Sequence, residues 1–182
     1  MDSSQSSLLN SAAERLVRLL VDRSLYLAAA ESCSAGLIAD AMARVPGASS
    51  CFWGSFVCYT HQAKIQMLGV GEDTLNKYGA VSKETARAMT LGILIKSGAD
   101  AAVSVTGLAG PGGDGSDVPV GTVWIAAALR GNKREEINAA NRAELDSIAA
   151  AANAAKFHFS GSRNDVRIQA ARQALVQIMG LL

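Results

Sequence analysis

An acid, a hydroxyl and a thiol follow one another at Glu31, Ser32 and Cys33, where the short apolar run "YLAAA" ends. The next stretch, "CSAGLIADAMARV", has the apolar spacing of a helix, which predicts a strand-to-helix corner at the trio. A side chain at such a corner lies close to the free backbone N–H groups of the helix start, which can stabilise an oxyanion. Ser32 is therefore a candidate nucleophile, or alternatively Ser32 or Ser34 is only a helix cap. Cys33 is a second candidate nucleophile, or a small buried hydrophobic residue.

A serine nucleophile needs a base, and the chain shows no obvious Ser, His and Asp set. Tyr59 and Lys64 bracket the turn after the second apolar strand, in "CYTHQAK". Either side chain can act as a base if desolvation or a neighbouring cation lowers its pKa. The alternative is a tyrosine at a strand end and a solvated lysine.

Two further stretches are candidates for ligand binding. The glycine-rich segment 107–121, "GLAGPGGDGSDVPVG", would let a backbone approach a ligand closely, or it is a plain surface loop. It lacks the Gly-Lys-Ser/Thr of a phosphate-binding Walker loop, and its prolines do not fit a dinucleotide-binding turn. Arg163 and Arg167 are four residues apart at the start of the last helix, so they share one face. Because cations oppose the helix dipole there, the pair indicates a bound anion or, alternatively, solvated arginines beside Asp165.

The rest of the chain predicts alternating strands and helices around these stretches. Several strands are apolar throughout, which favours a mostly parallel sheet covered by helices on both faces. The length of 182 residues suggests one domain, 1–182, with an alanine-rich insertion at about 131–156 that contains a helix. The predicted helices are 6–24, 33–45, 61–68, 82–98 and 162–182, and the predicted strands are 26–30, 51–59, 100–107, 122–129 and 157–159.

Composition excludes several classes of protein. Hydrophobic residues make up 49% and charged residues 18%, which argues against disorder, and a net charge of +1 lacks the basic excess of a nucleic-acid-binding protein. No apolar run reaches the roughly 18 residues of a membrane span, and the start of the chain has no signal-peptide pattern. Three cysteines without a CxxC pair and only two histidines argue against disulfides and a metal centre. We therefore expect a cytoplasmic protein with no metal, nucleic-acid or membrane partner.

Taken together, the chain resembles the CinA C-terminal domain family, whose studied members include nicotinamide mononucleotide deamidases. The resemblance implies a three-layer α/β/α fold with a mixed, mostly parallel five-stranded sheet in which one strand is antiparallel. It also implies hydrolysis of nicotinamide mononucleotide to nicotinic acid mononucleotide and ammonia through a serine acyl-enzyme, without metal or cofactor. The blocks that carry it are "AAESCSAG", "FWGSFVCYTHQAK", "LGV", "YGAVSKETARAM", "SVTGLAGPGG", "PVGTVWIA" and "FSGSRNDVRIQAARQAL".

By position, the resemblance implies that Ser32 is the nucleophile and that Tyr59 and Lys64 form the base system. It also implies a homo-oligomer, a dimer or higher, and we expect the insertion to lie at a subunit contact or at the pocket rim. Two alternatives stay open: a non-catalytic nucleotide-binding or protein-interaction member of the family, and an amidase for a different small substrate. The implied substrate-binding residues are Ala35, Gly36, Thr106, Gly107, Arg163 and Arg167.

Overall fold

A five-stranded mixed sheet forms the middle layer of the computed structural model, which describes residues 3–130, 148 and 152–182. The strands are β1 (Leu27–Glu31), β2 (Phe52–Val57), β3 (Ala101–Gly107), β4 (Thr122–Leu129) and β5 (Asn153–His158), in the spatial order β2-β1-β3-β4-β5. β1 pairs in parallel with β2 and β3, whereas β4 is antiparallel to both of its neighbours. The predicted mixed, mostly parallel sheet with one antiparallel strand is confirmed.

Helices cover both faces of this sheet, as predicted. The side chains of α1, α2 and α6 form one hydrophobic cluster with the sheet, and those of α3, α4 and α5 form a second cluster on the other face. No helix among the described residues is long and apolar enough to cross a bilayer. The described residues form α1 (Ser3–Asp22), α2 (Leu37–Ala43), α3 (His61–Leu68), α4 (Glu72–Tyr78), α5 (Lys83–Ser97) and α6 (Arg163–Met179).

The central strand β1 explains how the sheet brings distant residues together. All five of its residues are buried, because β1 has a neighbour on each side and helices on both faces. Its parallel register places Glu31 opposite Val105, and the N–H of Ser32 donates to the carbonyl of Val105 at 2.9 Å. The carboxyl ends of β1 and β3 therefore meet at one edge, where Ser32 comes close to Thr106.

Three elements differ from the sequence prediction. The helix predicted over 33–45 begins only at Leu37, because Ala35 and Gly36 adopt left-handed φ values of 50° and 94° and form a turn. α4 was not predicted, since its only buried residue is Leu75 and its sequence shows no apolar periodicity. β5 begins at Asn153, so residues 153–156 of the predicted insertion belong to the sheet, and the predicted helix within the insertion lies largely outside the described residues.

Close packing of α5 against α3 rests on Gly92, and it yields a first prediction. A Cβ at this position would lie 2.1 Å from the carbonyl oxygen of Leu68, the last residue of α3. Gly92→Ala must therefore push the two helices apart, and we expect it to lower the free energy of unfolding by about 1–3 kcal/mol. Urea denaturation measures this, with Gly112→Ala as the control, because a Cβ there meets nothing within 4 Å. Equal stability of the two variants would contradict the tight contact.

Candidate active site

The side chain of Lys64 is buried and contacts Ser32. Thr60 caps the N-terminus of α3, its hydroxyl accepting from the N–H of Ala63, so Lys64 lies in the first turn and points into the protein. Only 1% of Lys64 is exposed, and its Nζ lies 2.9 Å from Ser32 Oγ and 3.0 Å from the carbonyl oxygen of Cys58. Ser32 itself is 7% exposed. The structure thus joins two of the predicted site residues by a direct hydrogen bond.

Burial lowers the pKa of Lys64 below its ordinary value. Ionised thiols at Cys58 and Cys33 would oppose this shift, but burial raises their own pKa values to about 11 and about 12. Both thiols are therefore neutral near pH 7, and no carboxylate of the described residues forms a salt bridge with Lys64. An unprotonated amine at this distance can take the proton of the serine hydroxyl. A neutral, buried thiol is a poor nucleophile, which favours Ser32 over Cys33.

Glu31 fixes the turn that carries Ser32. Its carboxylate is fully buried and accepts from the N–H groups of Gly36, Ile38 and Ala39 at 2.9–3.1 Å, and from Ser55 Oγ at 2.9 Å. The N–H groups of Gly36, Ile38 and Ala39 are thus already occupied and are not available to an oxyanion. Such an arrangement satisfies a helix N-terminus and a buried charge together. The expectation that amides at the start of the helix predicted over 33–45 hold an oxyanion stays a prediction, limited to the N–H groups that precede Gly36.

The N–H groups of Cys33 and Ser34 remain as candidate oxyanion donors. No oxygen among the described residues accepts from either group. Both N–H groups lower the pKa of the Cys33 thiol, against the larger effect of burial. They lie directly after Ser32 in the chain, in the turn that Glu31 holds.

A cavity of about 250 Å³ opens onto Ser32 and Lys64. The Oγ1 of Thr106 donates to the carbonyl of Ala80 at 2.7 Å, which holds the end of β3 against the start of α5. The predicted site residues that line the cavity are Ser32, Tyr59, Lys64, Thr106, Gly107 and Arg163.

Three predicted substrate-binding residues do not line this cavity. Ala35 is exposed in the turn, and Gly36 donates its N–H to Glu31. Arg167 donates to the carbonyl of Ser34 at 3.1 Å and to Asn164 Oδ1 at 3.2 Å. Arg167 therefore contacts the backbone of the Ser32 turn, and only one member of the predicted arginine pair faces the cavity.

Tyr59 contacts Arg163 rather than the base. Its hydroxyl accepts from the Arg163 guanidinium, which also donates to the carbonyl of Gly110 in the glycine-rich loop. Half of Tyr59 is exposed, and no hydrogen bond of the described residues joins it to Ser32 or Lys64. The geometry supports Lys64 as the base without a bond from Tyr59.

Sequence reasoning did not select His61 and Asp114, which also line the cavity. Their positions could have indicated a role at the cavity. His61 lies in "CYTHQAK", which was selected for Tyr59 and Lys64, and Asp114 lies in the glycine-rich loop. Among the described residues, no three His, Cys, Asp or Glu side chains cluster in a way that could hold a metal ion. The remaining lining residues are Cys33, Ala80, Val81, Leu108 and Ala109.

Comparison with known proteins identifies the family. The family model of the CinA C-terminal domain matches residues 9–155. The chain belongs to this family. Among solved CinA structures, a competence/damage inducible protein from Agrobacterium tumefaciens has a TM-score of 0.82 at 34% identity, covering 96% of this chain and 95% of that one. A CinA superfamily protein from Escherichia coli has a TM-score of 0.83 at 29% identity, covering 100% and 94%.

Two curated relatives of this CinA domain differ in how much of their length the chain matches. A protein named nicotinamide-nucleotide amidohydrolase PncC, from Enterobacter agglomerans, is 42% identical over 146 residues, which cover 80% of this chain and 78% of that protein. A CinA-like protein from Chlorobaculum tepidum is 40% identical over 162 residues, which cover 89% of this chain and 35% of that protein. Other CinA-like relatives are matched over as little as 27% of their length.

The lowered pKa of Lys64 predicts how stability depends on pH. Between the folded pKa and the ordinary value of 10.5, the unfolded chain binds a proton that folded Lys64 does not, so this residue's contribution to stability rises with pH. Lys64→Met removes that contribution. The free energy of unfolding of the variant minus that of the wild type should therefore be largest near pH 7 and fall as the pH approaches 10.5.

Urea denaturation at several pH values between 7 and 10 checks this expectation. Lys96→Met is the matched control, because Lys96 is an exposed lysine in a helix and should give a difference that does not change with pH. A pH-independent difference for Lys64→Met would show that the buried amine keeps an ordinary pKa.

Proposed function

We propose that this chain is an amidohydrolase that converts nicotinamide mononucleotide to nicotinic acid mononucleotide and ammonia through an acyl-enzyme on Ser32. The observation that carries the proposal is the buried Lys64 amine, 2.9 Å from the Ser32 hydroxyl at one end of an open cavity. The choice of substrate is supported by a relative named as a nicotinamide-nucleotide amidohydrolase, which is similar to this chain over most of both chains.

In the acylation step, Lys64 Nζ takes the hydroxyl proton while Ser32 Oγ attacks the carbonyl carbon of the amide. The N–H groups of Cys33 and Ser34 stabilise the oxyanion, which forms beside the nucleophile. The Lys64 ammonium then gives its proton to the amide nitrogen, the carbon–nitrogen bond breaks, and ammonia leaves. The carbonyl of Cys58 accepts from Nζ, so the amine keeps its position through both proton transfers.

Deacylation uses the same base in the reverse sense. Lys64 Nζ is neutral again once ammonia has formed, and it takes a proton from a water molecule that attacks the acyl carbon. The proton returns to Ser32 Oγ as the ester bond breaks, and the carboxylic acid so formed gives its own proton to water and leaves as a carboxylate. The Lys64 amine thus acts in turn as the general base and the general acid of the proposed mechanism.

Arg163 is the proposed site for the phosphate of the substrate. A guanidinium has five N–H donors, and the contacts with Tyr59 and Gly110 use only part of this capacity. These two contacts fix the guanidinium at the cavity wall, where its remaining donors can pair with an anion. Arg167, which contacts the Ser34 carbonyl, is proposed to hold the turn rather than to bind substrate.

The roles of the three site residues can be separated by measuring ammonia release. Ser32→Ala and Lys64→Met should each lower kcat by about a thousandfold or more, because loss of the nucleophile or of its base removes the covalent route. Cys33→Ala should keep most of the activity, since its thiol is neutral and not the nucleophile. Circular dichroism confirms that each variant folds. Wild-type turnover in Ser32→Ala would disprove the mechanism.

The two arginines should differ in their effects. Charge-assisted contacts contribute roughly 1.5–3 kcal/mol, so Arg163→Ala should lower kcat/KM for nicotinamide mononucleotide by about 10- to 150-fold, and much less for the riboside, which has no phosphate. Arg167→Ala should lower kcat alike for both substrates, because it disturbs the Ser32 turn. If Arg163→Ala affects both substrates equally, its role is structural.

A further inference from the structure

Two side chains of opposite charge line the cavity beside Ser32. Arg163 carries the positive charge, and Asp114, in the middle of the glycine-rich loop, carries the negative one. The side-chain hydroxyl and backbone N–H of Ser116 both donate to Asp114 Oδ1, which gives the carboxylate a defined position. The same hydrogen bonds lower the pKa of Asp114, so it is ionised at neutral pH.

Nothing in the described part of the chain neutralises this carboxylate by a direct ion pair. Asp114 forms no salt bridge with Arg163, whose guanidinium contacts Tyr59 and Gly110 instead. Lys64 is buried and contacts Ser32 and the carbonyl of Cys58, and His61 interacts with Asp114 only weakly, as the smallest of the influences on its pKa. The cavity therefore presents a negative and a positive group that are both available to a ligand.

We infer that Asp114 recognises a positively charged ring, so that the cavity selects amides whose molecule carries both a cationic ring and an anionic group. This inference rests on the proposed function and deepens it. The pyridinium ring of nicotinamide mononucleotide is positively charged at the nitrogen that bears the ribose, and its phosphate is negative. Complementary charges of this kind mainly give specificity, because water screens exposed pairs.

The half-exposed ring of Tyr59 lines the same cavity and strengthens the case. Aromatic rings attract cations through their faces, and proteins commonly combine them with carboxylates to bind positively charged ligands. A neutral amide, such as that of a glutamine side chain, would form neither an ion pair with Asp114 nor a cation–π contact with Tyr59. Asp114 is thus a specificity residue and takes no part in the bond-breaking steps.

The test compares two ligands that differ in ring charge: nicotinamide mononucleotide, with a cationic ring, and its reduced form, with a neutral dihydropyridine ring and the same ribose, phosphate and amide. Calorimetry in the Ser32→Ala background measures both dissociation constants without turnover. Asp114→Asn should weaken binding of the cationic form by about two- to fivefold, the range expected of a screened pair, and leave the reduced form unchanged. Asp117→Asn, in the same loop but outside the cavity lining, is the matched control and should change neither.

Three results would overturn the inference: Asp114→Asn weakens binding of both nucleotides equally, Asp114→Asn weakens binding of neither, or neither nucleotide binds. Ammonia release by the wild-type protein decides the proposed function separately. Selective loss of the cationic form without any ammonia release would support the role of Asp114 and exclude the deamidase activity.

Discussion

The burial of the Lys64 amine, which lowers its pKa, is the constraint on which the proposed chemistry depends. In water Lys64 would be an ammonium group, able to donate hydrogen bonds but not to accept a proton. Inside the protein, ionisation would cost the hydration of the charge, with no carboxylate of the described residues in salt-bridge contact to compensate. Only 1% of Lys64 is exposed, and its amine contacts Ser32 Oγ and the carbonyl oxygen of Cys58. Burial of this side chain thus favours the neutral form that the proposed base requires.

Glu31 is a second buried ionisable side chain. Four hydrogen bonds satisfy its carboxylate, three of them from the backbone of the turn and helix that follow Ser32. The nucleophile is therefore held between a strand hydrogen bond to Val105 and a turn fixed by its own preceding residue. This arrangement also explains why the free amides at the start of α2 are not available to the substrate.

The residue pattern predicted the layers better than it predicted local detail, and the family resemblance implied the antiparallel strand and the pairing of Ser32 with Lys64. Apolar strands and helical spacing are strong signals, because they reflect burial over many residues. The late start of α2 depends on two left-handed residues, one of them Ala35, and no side-chain pattern announces that conformation. The places of Arg167 and Asp114 could not be predicted either. The contacts of Arg167 depend on which element packs against its face of α6, and the sequence does not specify that element. The loop around Asp114 has no apolar periodicity from which the direction of the Asp114 side chain could be inferred.

The antiparallel direction of β4 places Asp114 on a loop that is separate from the elements carrying Ser32 and Lys64. Because β4 returns directly alongside β3, the loop between them starts and ends at the same edge of the sheet, and its ends are fixed by strand pairing. Ser32 and Lys64 are held by other elements, namely β1 and α3. Substitutions inside the loop can therefore change the cavity wall without moving Ser32 or Lys64. Under the proposed function, substrate preference can then diverge while the hydrolytic step stays constant.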